Sequence, residues 1–144
     1  MKKALVVLLC LSLIGCSDMS EYFTSQGTGV SCHCEFCPSQ EAIEHALEYF
    51  HNRSDDKFDY DPTWLLSVVY IEFYQSLASK GMFNSNGEIR LICDVEIQDS
   101  PLFHELVHGI IYHRYNAMDR YHTRWYWDEE RELTDEYKNL RIYP

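Results

Sequence analysis

The apolar residues Leu102, Phe103, Leu106, Val107, Ile110 and Ile111 recur at steps of three and four, a pattern that predicts a helix with one face on a core. Ser100 suits its N-cap, Pro101 its first helical position and Asn116 its stop. Ile43, Ala46, Leu47 and Phe50 keep the same spacing, so an earlier helix starts with Ser39 as N-cap and ends near Arg53. Glu41, Glu44, His45 and Glu48 fall mostly outward on it, and Ser54 to Pro62 reads as an acidic loop. The period then changes to two. Val69, Ile71 and Phe73 alternate with Tyr70, Glu72 and Tyr74, which predicts a strand within Thr63–Tyr74; a buried helix is the competing reading of so short an apolar run. Gly81 and Asn84-Ser85-Asn86-Gly87 mark turns, with Met82-Phe83 as a short arm against a second strand over Glu88–Cys93. Asp128 to Glu136 reads as the solvated face of a last helix. Helix, strands, then two helices make an α+β chain of one domain.

The first residues follow a different pattern. Lys2 and Lys3 precede an apolar run, Ala4–Ile14, interrupted by Ser12 and too short to span a bilayer. Leu13-Ile14-Gly15-Cys16 then resembles the lipobox of bacterial lipoproteins. The resemblance implies a signal peptide over 1–15, a lipid on Cys16, and a chain held at the cell envelope facing away from the cytoplasm. In a Gram-negative cell, Ser17 after the cysteine favours the outer membrane. Residues 16–31, rich in Ser, Thr, Gln and Gly, read as a lipidated tether, leaving 32–144 as the domain. The net charge is −11, and it becomes two units more negative when Lys2 and Lys3 leave with the signal. Such a charge argues against nucleic acid as a partner.

Compartment also decides how the cysteines read. Cys10 belongs to the signal and Cys16 to the lipid, so Cys32, Cys34, Cys37 and Cys93 remain. Outside the cytoplasm four thiols predict two disulfides, in any of three pairings, one of which ties the N-terminal knot to Cys93. The competing reading is a second metal site from Cys32, His33, Cys34 and Cys37.

The chemistry concentrates in His104-Glu105-Leu106-Val107-His108. Helix positions i and i+4 share a face, so His104 and His108 can direct two imidazoles at one zinc ion, with Glu105 beside them. A catalytic zinc takes three protein ligands and keeps one open position. His113 is rotated away on the same helix. A metzincin needs Gly and His where Ile111 and Arg114 stand, which excludes that class. His122 is the leading third ligand, because the stop at Asn116 lets the chain turn back. The competing ligand is an acid of the last helix, Glu129 or one of its neighbours Asp128, Glu130 and Glu132. One of these acids, or Asp119, is also placed to orient a ligating imidazole.

The stretch from His104 to Trp125, with His-Glu-Leu-Val-His, Asp119, His122-Thr123 and Trp125, resembles the SprT-like zincins and the zincin-type lipoproteins of bacteria. Only its metal motif is specific. The resemblance implies a minimal zincin fold: a small twisted sheet packed on the His-Glu helix, flanking helices, and a cleft against an edge strand, for which Glu88–Cys93 is the candidate. Thr123 is expected to cap the last helix. SprT-like proteins act inside cells on DNA-bound protein. The lipobox, the acidic charge and the lack of a basic tail carry over the fold and metal chemistry but not that substrate. The expected activity is peptide-bond hydrolysis by a zinc-bound water with Glu105 as general base, on a peptide or protein substrate at the envelope. Tyr112, Tyr115, Arg120 and Tyr121 are unresolved candidates for holding the oxyanion. Hydrolysis of peptidoglycan cross-links shares this chemistry. The alternative of another kind is a non-catalytic lipoprotein that uses zinc as a staple or for docking.

Overall fold

The structure, a computed structural model, describes residues 20–93 and 95–140. The signal at 1–15 and the lipidation site Cys16 lie outside the described residues. In chain order the elements are β1 (Ser20–Phe23), β2 (Gly29–His33), α1 (Gln40–Phe58), α2 (Thr63–Val68), β3 (Tyr70–Tyr74), β4 (Gly81–Phe83), β5 (Glu88–Ile92), a 3-10 turn (Ile97–Asp99), α3 (Leu102–Tyr115) and α4 (Tyr126–Asn139). The sheet runs β1-β2-β3-β5-β4. β2, β3 and β5 are mutually parallel, and the edge strands β1 and β4 pair antiparallel to their neighbours.

Alternation sets which face is buried. Ile71 and Phe73 of β3 and Ile89 and Leu91 of β5 are buried, whereas Tyr70, Glu72 and Tyr74 between them are partly exposed. The buried set joins one core with Leu47 and Phe50 of α1, Leu106 and Ile110 of α3, and Leu133 of α4. The fold is thus α+β with a mixed sheet. Among the described residues no helix is long and apolar enough to cross a membrane.

Several elements depart from the sequence reading for identifiable reasons. α1 runs past Arg53 to Phe58, because the Ser54 hydroxyl donates to Phe50 O at 2.6 Å within the helix and Phe58 is fully buried. Asp59, in the left-handed region at φ 49°, then stops it. The first part of Thr63–Tyr74 is helical. Asp61 Oδ1 accepts from the Thr63 amide at 2.9 Å and from its hydroxyl at 2.6 Å, and the adjacent Leu65 and Leu66 are both buried, which a helix allows. Alternation begins only at Val69.

The expected tether is the largest correction. Residues 20–33 contribute β1 and β2, with Val30 and Cys32 buried and Thr28 donating its hydroxyl to Leu66 O at 2.6 Å. Glu88–Ile92 is also not an edge. β3 covers one side and β4 the other, so the free edge beside α3 belongs to β4. α3 starts one residue later than expected, at Leu102, whose amide donates to Ser100 Oγ at 3.4 Å.

Two disulfides are formed, Cys32–Cys37 and Cys34–Cys93. Parallel β2 and β5 flank β3 and end on the same side, so Cys34 and Cys93, just past those ends, meet across it. With every one of these sulfurs in a bridge, a second metal site built on Cys32, His33, Cys34 and Cys37 is displaced.

Candidate metal centre

His104 and His108 lie one turn apart on α3, with ring centroids 4.9 Å apart. The third imidazole arrives from the connection to α4. Asn116 ends α3 in the left-handed region at φ 50°, as its position predicted. Asp119 then gathers the loop: its carboxylate accepts from Thr123 N (3.2 Å) and Oγ1 (3.0 Å), Arg124 N (3.0 Å) and Trp127 Nε1 (2.9 Å). Inside that cage His122 takes φ 53°, a conformation that L side chains adopt rarely and hold only where surrounding bonds impose it. Its Nε2 comes to 3.4 Å from His108 Nε2.

The three donors are close enough together to hold a metal ion. One ligand atom from each of His104, His108 and His122 lies within 4.8 Å of the others. Tetrahedral Zn–N bonds of about 2.0–2.1 Å place two nitrogens about 3.3 Å apart, close to the His108–His122 separation. The same two nitrogens can share a proton in a hydrogen bond or turn both lone pairs to a shared cation. His122 is exposed, which leaves the cluster open to solvent on one side.

Charge favours this arrangement at two of the three rings. Burial, followed by the charges of His104 and His122, pushes His108 down to about 4. Burial and His104 also lower His122. Both shifts favour the neutral ring that ligation requires. Burial opposes charge on His104, but the facing carboxylates of Glu130 and Glu105 outweigh it and its pKa is raised. Glu130 Oε2 stands 3.6 Å from His104 Nδ1, too far for a tight hydrogen bond but close enough to orient the ring. Thr134 donates to the other Glu130 oxygen at 2.7 Å.

Glu105 is buried beside the cluster. Burial pushes its carboxyl up to about 7, against the pull of His104 and of the Phe83 amide. β4 supplies the lid over it. Gly81 leaves the room: a Cβ there would lie 2.6 Å from Glu105 Oε1.

The remaining candidates separate clearly. Glu129 turns away to Lys57 at 3.8 Å, Glu132 meets the same lysine at 3.0 Å, and Asp128 pairs with Arg131 at 2.9 Å. Of these acids only Glu130 reaches a histidine. His113 bonds Tyr60 Oη at 2.7 Å and stacks on Trp64 at 4.2 Å, away from the cluster. His45 and His51 have Tyr137 and Thr63 as hydrogen-bond partners at 3.2 and 3.4 Å, and neither belongs to the cluster. Tyr121 is 90% exposed and Tyr115 lies under the Arg124 guanidinium.

Thr123 does not cap α4, since its hydroxyl goes to Asp119. The aromatic that matters is Trp127, not the half-exposed Trp125. The Trp127 ring is buried 4.3–4.8 Å from all three histidine rings, and its N–H is tied to Asp119. Sequence reasoning passed over Trp127 and treated Gly81 only as a turn. An i, i+8 pairing of a buried acid with an indole N–H was the available signal for the first.

Comparison with protein-family models, curated proteins and solved structures finds no match to this chain.

Proposed function

We propose that the chain is a zinc peptidase of minimal zincin type, held at the cell envelope by a lipid on Cys16. The observation that carries this reading is the convergence of three imidazoles beside a buried carboxyl. His104, His108 and His122 would hold the metal. Bound there, zinc supplies a Lewis acid that acidifies water and polarises a carbonyl. Glu105 takes a proton onto its carboxylate and returns it to the leaving amine, a task best done by a group with a pKa near the working pH. Trp127 and the Asp119 cage keep His122 in place, and Glu130 orients His104.

The position of β4 fits an extended substrate. Lys80 O accepts from Ile92 N at 3.1 Å and Asn84 N donates to Glu88 O at 2.8 Å, so these backbone groups face β5. Between them the Phe83 amide is turned to the Glu105 carboxylate and the Gly81 amide faces the free edge, where a peptide strand would add through backbone hydrogen bonds. A structural zinc staple calls for a fourth protein ligand. The cluster offers three among the described residues, which favours catalysis over the staple.

The test is elemental analysis of the full chain together with a peptide-cleavage assay. The expected result is about one zinc per chain, lost in His122→Ala and kept in Glu105→Gln, with cleavage abolished in both. Wild-type protein that binds no zinc after reconstitution would refute the reading. Zinc bound without cleavage of any peptide would move it to the non-catalytic alternative.

A further inference from the structure

We propose that a pocket beyond Phe83 selects substrates carrying one bulky apolar side chain two or three residues from the bond that is cut. The inference rests on the peptidase reading and names the substrate class for that site. Glu105, Gly109 and Tyr112 form one stripe of α3, at steps of four and three. The stripe runs under β4, with Gly81 over Glu105 and the Phe83 ring against Gly109 and Tyr112. A Cβ on Gly109 would meet Leu65 at 2.9 Å and Phe83 at 3.2 Å, so this glycine lets α2 and β4 close on the helix.

Past that contact a cavity of about 340 Å³ opens, walled by Trp64, Leu65, Val68, Phe83, Tyr112 and His113. No carboxylate lines it. Trp64 and Val68 are 52% and 45% exposed, an uncommon amount of bare apolar surface for a six-residue helix. The volume sits at the low end for ligand pockets and is ample for one leucine- or phenylalanine-sized group.

The spacing follows from helix and strand geometry. Gly109 and Tyr112 stand four and seven residues beyond Glu105, roughly 6 and 10 Å along the axis at about 1.5 Å per residue. An extended peptide on β4 advances about 3.3 Å per residue. A side chain in the pocket is therefore two or three residues from the carbonyl beside Glu105. Phe83 links both ends, since its amide faces Glu105 and its ring walls the cavity.

The experiment uses zinc-loaded full chain and paired peptides that carry Phe, Leu, Ala or Asp at each position within four residues of the cut. The expected result is a preference of about 10- to 100-fold in kcat/KM for Phe or Leu over Ala at one position two or three residues away. That preference should collapse in Trp64→Ala and in Val68→Ser. A profile with no such position, or one that survives in both folded variants, overturns the proposal. Binding of the same peptides to zinc-loaded Glu105→Gln separates the two readings. If nothing is cleaved but Glu105→Gln binds the Phe peptide at least tenfold tighter than its Ala partner, the pocket stands and the peptidase reading fails. Equal binding of the two peptides overturns the pocket.

Discussion

Gly81 of β4 and Glu105 of α3 are packed so closely that no side chain fits between them. A Cβ on Gly81 would lie 2.6 Å from Glu105 Oε1 and 2.5 Å from Pro101 Cγ. Gly81 has an ordinary backbone conformation, so the constraint is space alone. Gly81→Ala must displace either the carboxylate or β4. We expect it to retain zinc, because none of the three histidines is touched, and to lose at least tenfold in kcat. Overpacking of this kind costs on the order of 1–3 kcal/mol of stability. A Gly81→Ala protein with wild-type kcat would show that the Glu105 carboxylate does not need its present position.

Glu130 is the one acid of α4 turned toward the cluster, and its role is tested by separating charge from shape. Glu130→Gln keeps the contact with His104 but removes the carboxylate that favours an Nδ1–H and leaves Nε2 free for the metal. Loss of such a supporting partner lowers metal affinity by about 10- to 100-fold. Chelator competition reads this directly, independent of any substrate. The same assay on Glu129→Gln should match wild type, since Glu129 faces Lys57. Equal loss in the two variants would mean that net charge, not position, is being measured.

The helix that carries His104 and His108 was legible because its signals are local: an i, i+4 histidine pair, an apolar stripe and an asparagine stop all act within a few turns. His122 was reachable as a candidate for the same reason, one loop away from a recognisable helix end. What stayed hidden depends on partners distant in the chain. The β1–β2 hairpin was read as a tether because Ser, Thr and Gly dominate it; Thr28 and Ser31 are buried only because β3 and α2 cover them. Likewise, Glu88–Ile92 carries the alternation of a strand, but alternation does not say whether its outer edge is free. That depended on where three residues, Gly81–Phe83, chose to pair. Thr63–Val68 reads as β-prone by composition and is helical by the Asp61 bonds to Thr63 and its two buried leucines, a case of local hydrogen bonding and tertiary burial outweighing propensity.

Asp119 gives a pH-dependent prediction. Burial alone would raise its pKa, but the hydrogen bonds from Trp127, Thr123 and Arg124 outweigh that and bring it down to about 2, well below the usual carboxylate range. A depressed carboxylate stabilises the fold fully above its unfolded pKa and loses that contribution as pH falls through the folded value. The thermal advantage of wild type over Asp119→Asn should therefore be constant above roughly pH 5 and shrink between about pH 4 and pH 2. Near neutrality, Asp119→Ala leaves the buried Trp127 N–H and the part-buried donors of Thr123 and Arg124 without their acceptor and costs on the order of 1–3 kcal/mol. It should also weaken zinc binding, because it releases the loop that holds His122 in the left-handed region. A stability difference independent of pH, with zinc affinity unchanged, would remove Asp119 from the support of the site.

The two disulfides should contribute unequally. Cys32–Cys37 closes a separation of 5 residues and Cys34–Cys93 one of 59. If the gain comes from restricting the unfolded chain, it is about 2 kcal/mol for the short loop and about 4 kcal/mol for the long one. The long bridge also has a structural task. It fastens the end of β2 to the end of β5 across β3, immediately upstream of the 3-10 turn that leads into α3. Paired Cys→Ser replacements test this by denaturant titration: removing Cys34 and Cys93 should lower stability by roughly twice as much as removing Cys32 and Cys37. Zinc affinity should follow the same order, because a looser entry to α3 affects the helix that carries His104 and His108. Equal losses for the two pairs would argue that strain or packing, rather than loop closure, governs their contribution.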